Sequence, residues 1–129
     1  MTQRFIKLGE GYGDIYELLT LVEEMPHRVE RLLAFHTIKN NEERTSIAAI
    51  FKPTHKGKFQ PIYICLEGIP KPKEESSNVR YDAFKEVSEK NNLPIIEMVV
   101  PPSDTYHEEE LYYQQLIAVL RLNHILPPA

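Results

Sequence analysis

The segment Pro61–Ile69 constrains the fold more than any other part of the chain. Ile62, Ile64 and Leu66 alternate with Tyr63 and Cys65, so an extended strand here is apolar on both faces. Such a strand is interior to a sheet and needs cover on both sides. Two more strand-like segments precede it, Val29–Ile38 and Thr45–Phe51. Asn40-Asn41-Glu42-Glu43 separates those two with turn-forming residues, and Pro53 stops the second. The close spacing predicts an antiparallel three-stranded meander.

Helical patterns flank the meander. Ile15, Leu18, Leu19 and Val22 share a helical face over Ile15–Met25, with Asp14 as N-cap, Glu17 three residues on, and Pro26 as the stop. Tyr81–Lys90 places Tyr81, Phe84 and Val87 on one side of a second helix. Pro94–Val100 then reads as a fourth strand, closed by Pro101-Pro102. A crossover through the second helix sets it parallel to the third strand and beside the first. The last helix is expected from Tyr106 to His124, capped by Thr105. Glu108–Glu110 lie at its start and Arg121 and His124 at its end, the signs the helix dipole favours. Arg4–Leu8 reads as a short strand or an extended lead-in.

The expected fold is therefore one α/β (α+β) domain over residues 1–129. Its order is α-β-β-β-α-β-α, with a mixed four-stranded sheet flanked by helices. The chain has 129 residues, enough for one core and too few for two. No apolar run approaches the ~18 to 20 residues of a membrane span, so no membrane partner is expected. The N-terminal residues lack the apolar core of a signal peptide, and Cys65 is the single cysteine. Both point to a reducing cytoplasm, and the lone cysteine excludes an internal disulfide or a multi-cysteine zinc site. The net charge of −4 lacks the basic stripe of a nucleic-acid binder. Lys52, His55, Lys56 and Lys58, with Lys71 and Lys73, read as solvated loop charges.

Few residues form a recognisable chemical pattern. The α-β-β-β-α-β order resembles the restriction-endonuclease-like nucleases. Those place an acid at the start of the second strand and an acid, a spacer and a lysine on the third, to hold Mg²⁺ and a water. Here the third strand reads Glu67-Gly68-Ile69, with Ile where Lys should stand, and the second begins Thr45-Ser46 without an acid. Glu17, Glu67 and Glu97 remain the candidate acids for a degenerate hydrolase using Mg²⁺ or Mn²⁺. Glu97 stands inside the apolar run Ile95-Ile96-Glu97-Met98-Val99 and must find a partner, face water or hold its proton.

Gly9-Glu10-Gly11-Tyr12-Gly13 before a helix reads as a tight turn. It has no Walker lysine, and Asp14 would repel a phosphate. A small-ligand pocket beside it would involve Tyr12, Tyr16, His36 and Tyr63. Cys65 with His36 could pair as nucleophile and base, though a buried thiol serving as a small hydrophobe accounts for it better.

Several phrases run close to a known group of proteins. They include Leu8-Gly9-Glu10-Gly11-Tyr12, Phe35-His36-Thr37, Gln60-Pro61-Ile62-Tyr63-Ile64-Cys65, Glu67-Gly68-Ile69-Pro70 and Pro94-Ile95-Ile96-Glu97. The chain resembles, over almost its whole length, short uncharacterised proteins of Gram-positive, spore-forming bacteria. That resemblance implies no activity. Some members carry the label methylthioribose kinase, but the nucleotide lysine, catalytic-loop aspartate and Mg²⁺ ligands of a kinase have no counterpart here.

With no catalytic constellation, the sequence reads as a non-catalytic interaction or regulatory protein, expected to be a homodimer and without a cofactor. Leu111, Tyr112, Leu116, Val119, Leu120 and Leu122 give the last helix a broad apolar sector. Such a sector is either core alone or core plus a homodimer surface.

Overall fold

The computed structural model describes residues 2–9, 12–53, 59–70 and 79–127. Five strands form one mixed sheet. They are β1 (Thr2–Gly9), β2 (Val29–Lys39), β3 (Glu42–Phe51), β4 (Phe59–Pro70) and β5 (Ile95–Val99), in the order β1-β4-β3-β2-β5. The helices are α1 (Tyr12–Glu24), α2 (Val79–Lys90) and α3 (Glu109–Leu122).

The meander is present: β2 pairs antiparallel with β3, and β3 with β4. Asn40 and Asn41 make its first turn with φ of 52° and 65°, the left-handed pair a two-residue hairpin needs. After α2, β5 returns parallel to β2 on the far edge, as the crossover predicts. The sheet has five strands rather than the four expected, because Thr2–Gly9 pairs parallel with β4. Arg4 and Lys7 interrupt its apolar pattern. Charged residues on an edge strand discourage further pairing, and they also mask the strand in the sequence.

The sheet is buried on both faces. On one face, α3 packs Tyr112, Tyr113, Leu116 and Leu120 against Leu33, Phe35, Ile50, Ile62 and Ile64. On the other, α1 and α2 pack Ile15, Leu18, Val22, Phe84 and Val87 against Leu32, Ile47, Phe51 and Cys65. β4 is interior, as its two apolar faces require, and β3 is the middle strand, buried at every residue from Thr45 to Phe51.

Two helix starts differ from expectation. α1 begins at Tyr12, which places Asp14 inside the first turn rather than at the cap. α3 begins at Glu109. Ser103–Thr105 first form a 3-10 turn, and Tyr106 and Glu108 are extended. The reason is tertiary: the Ser103 N–H is donated to the Glu67 carboxylate at 2.7 Å, and the Tyr106 ring packs on Tyr112 at 5.7 Å. Tyr112, Tyr113, Leu116 and Leu120 occupy the core, while Leu111 and Leu122 face outward.

Candidate functional site

The β2–β5 corner holds the densest polar geometry among the described residues. Ile96 and Met98 pack on the α3 side of the sheet and Ile95 on the α1/α2 side, so strand alternation sends Glu97 and Val99 to the α1/α2 side. His36 lies opposite Val99 on β2 and opposite Thr45 on β3. His36 Nε2 lies 2.9 Å from Glu97 Oε1, and His36 Nδ1 lies 2.7 Å from Thr45 Oγ1. Tyr81, in the first turn of α2, donates its hydroxyl to the same Glu97 oxygen at 2.9 Å. Lys85 Nζ stands 5.2 Å from the centre of the Tyr81 ring.

The chemistry of the partners orients the chain of bonds. An ionised carboxylate only accepts, so Nε2 of His36 donates to Glu97. In the neutral imidazole Nδ1 then accepts from the Thr45 hydroxyl. In the imidazolium both nitrogens donate and the Thr45 hydroxyl turns to accept. The His36 hydrogen bond holds the Glu97 carboxyl below its ordinary value, with the Tyr81 bond next and partial burial opposing. Burial pushes the Tyr81 phenol above its ordinary range, and its bond to Glu97 adds to the shift. Tyr81 therefore stays a donor across the physiological range.

This polar chain borders an apolar surface. Val99 is 84% exposed and Ile38 62% exposed. Ile38 lies two residues beyond His36 on the same face. One strand spacing across and two residues along separate it from Val99 by about 8 Å. Beyond β5 the sheet has no further described strand.

Glu67 behaves differently. Two steps along β3, from Thr45 to Ile47, are matched by four along β4, from Ile69 to Cys65, so β4 bulges around Glu67. Glu67 sits at φ 47°, a left-handed angle that costs a non-glycine residue about 1–2 kcal/mol. Bonds at its amide, its carbonyl and its carboxylate hold it there. Its N–H is donated to Ser46 Oγ at 2.7 Å, its carbonyl accepts from Arg44 at 3.2 Å, and its carboxylate accepts the Ser103 N–H. Glu67 thus staples the bulge to the loop that enters α3.

The candidate acids are not gathered. Glu97 is held by His36 and Tyr81, Glu67 by the Ser103 amide, and Glu17 is exposed on α1. Among the described residues no group of three or more His, Cys, Asp or Glu is placed to hold a metal ion. The partners of Glu97 are a histidine and a tyrosine, and that of Glu67 is a backbone amide. Cys65 and His36 are not a pair either. The Cys65 thiol donates to the Asp14 carbonyl at 3.2 Å, and burial, then Asp14 and Glu17, push its pKa up to about 12.

The four residues named for a ligand are dispersed. Tyr63 lies opposite Ala49 and meets Phe51 edge-on at 5.2 Å. Four residues of β3, about 13 Å, separate that position from His36. Tyr16 lines a groove between α1 and α2, and the side chain of Tyr12 lies outside the described residues. So do His55, Lys56, Lys58, Lys71 and Lys73, while Lys52 is exposed. Thr45 and Tyr81 carry no sequence signal of their own. Only the carboxylate of Glu97 inside an apolar strand shows that partners must exist nearby.

Residues 1–126 match a family described as a domain of unknown function, DUF7147. The chain belongs to this family. No curated protein and no solved structure matches it. Among the described residues of this family member, no helix is long and apolar enough to cross a membrane.

Proposed function

We propose that this protein works by binding other macromolecules rather than by catalysis, with a second copy of itself as the first partner. The observation that carries this reading is the β2–β5 corner. Two large aliphatic side chains, Ile38 and Val99, stand exposed and adjacent beside an open sheet edge. Isolated exposed hydrophobes are ordinary, but a pair beside a sheet edge, one on β5 and one on the neighbouring β2, offers a contact surface. Glu97 does not meet such a contact as a bare charge: it accepts hydrogen bonds from His36 and Tyr81, and the Lys85 ammonium lies near enough to favour its ionised form. The outward residues of α3, Leu111 and Leu122, support association less well. Eleven residues, about 16 Å of helix, separate them.

Light scattering at micromolar concentration tests the reading. A dimer mass is expected, falling to a monomer in Val99→Lys. A wild-type monomer contradicts the dimer. The alternative, a metal-dependent hydrolase of nuclease-like fold using Mg²⁺ or Mn²⁺, draws support only from the order of elements after β1. Its three acids have separate partners or none. A kinase reading finds no support in the sequence, which lacks the signature residues. A cytoplasmic setting accords with the buried, protonated thiol of Cys65.

A further inference from the structure

The helix α1 breaks a local rule without local compensation. It carries Asp14, Glu17, Glu23 and Glu24 and no basic residue. Glu23 and Glu24 lie in its last turn, where the negative end of the helix dipole disfavours carboxylates. Uncompensated violations of this kind concentrate at functional positions.

Glu23 also borders a groove. About 250 Å³ opens between α1 and α2, lined by Leu19, Val87, Ala83 and Tyr16, with Glu23 on one helix and Glu86 on the other. Leu19 and Val87 are nearly buried, and both glutamates are exposed. Neither glutamate has an ion pair or hydrogen bond with any described residue. Lys85, beside Glu86 in sequence, stands over the Tyr81 ring instead. The Thr20 hydroxyl is spent on the Tyr16 carbonyl at 2.8 Å. The groove therefore offers a partly apolar lining, an aromatic ring and two carboxylates without an ion pair among the described residues.

We propose that this groove docks an arginine side chain presented by an apolar segment of a partner protein. The volume suits one long side chain. A guanidinium is flat and weakly hydrated, so it can lie on Tyr16 and the aliphatic lining while its several N–H donors reach carboxylates on both helices. An ammonium is more strongly hydrated and gives up more on entering. An anion is repelled. The site is separate from the Ile38–Val99 corner and does not depend on dimerisation.

The test is a titration of ¹⁵N-labelled protein at low salt with the capped tripeptide Leu-Arg-Leu. Its lysine analogue and its citrulline analogue, which is isosteric with arginine but neutral, serve as comparisons. Saturable shifts are expected at Leu19, Glu23, Ala83 and Glu86. Affinity is expected to fall at least fivefold for the citrulline peptide, and for the arginine peptide with Glu23→Gln/Glu86→Gln protein. The lysine peptide should fall between. The double variant removes unpaired surface charge, so it should melt no lower than wild type while binding more weakly. Val99→Lys should bind the arginine peptide unchanged, which keeps this result distinct from that for the corner. Equal affinity for the citrulline peptide, shifts centred elsewhere, or no saturable response overturns the proposal.

Discussion

Glu67 and Glu97 are both glutamates in sheet strands, and the protein treats them in opposite ways. Glu67 is 6% exposed and is fixed by bonds to its amide, its carbonyl and its carboxylate. Its side chain joins the β4 bulge to the loop before α3. The Glu97 side chain is 58% exposed and gathers two hydrogen-bonding side chains, His36 and Tyr81. The difference lies in what surrounds each carboxylate. A buried carboxylate that accepts a backbone N–H from a distant loop serves architecture. An exposed one beside a histidine and bare aliphatic groups is free to serve a surface.

Substitutions should separate the two roles, and the largest effect is expected at the bulge. Glu67→Ala leaves the Ser103 N–H without its acceptor and keeps the left-handed angle on a residue with a Cβ. A loss of about 2–3 kcal/mol in urea unfolding is expected. A loss below about 0.5 kcal/mol would mean the bulge is held by something else. Tyr112 sits close enough to Glu67 for that charge to raise its phenol further, after burial, and its buried hydroxyl has no hydrogen-bond partner among the described residues. Tyr112→Phe should therefore stabilise the fold by about 1 kcal/mol. A loss of stability would show that the hydroxyl has a partner.

At the corner the effects should be smaller. Tyr81→Phe removes one hydrogen bond to a part-exposed carboxylate and should cost about 0.5–1 kcal/mol by thermal melting. Glu97→Gln should cost less than about 1 kcal/mol, in the range of exposed ion pairs. Its pH dependence has a definite sign. The folded carboxyl lies below its ordinary value of 4.5. The stability it contributes is thus fully present above that value and is lost as pH falls through the lower folded one. The difference between wild type and Glu97→Gln should shrink as pH falls through the lowered folded value of the carboxyl and vanish in strong acid. A difference that grows below pH 4.5 would reverse the assignment.

Much of the fold was legible from local patterning. The two apolar faces of Pro61–Ile69 announced an interior strand, Asn40-Asn41 announced the hairpin, and the spacing around Tyr81–Lys90 announced a parallel return beside β2. β1 was harder to read, because Arg4 and Lys7 protect an edge at the expense of the periodic signal. The late start of α3 was hidden as well, since the bond from the Ser103 amide to Glu67 spans 36 residues. The same limit applies at the corner. Glu97 and His36 stood out by residue type and setting. Thr45 joined them only through the β2–β3 register, and Tyr81 only through the docking of α2.

The most direct test of the contact-surface account is a dilution series of amide spectra, from millimolar to low micromolar protein. The account predicts concentration-dependent shifts clustered at Ile38, Glu97 and Val99, with Glu67 and Ser103 unmoved. Spectra that do not change on dilution, or shifts clustered at Leu111 and Leu122 on α3, would contradict it.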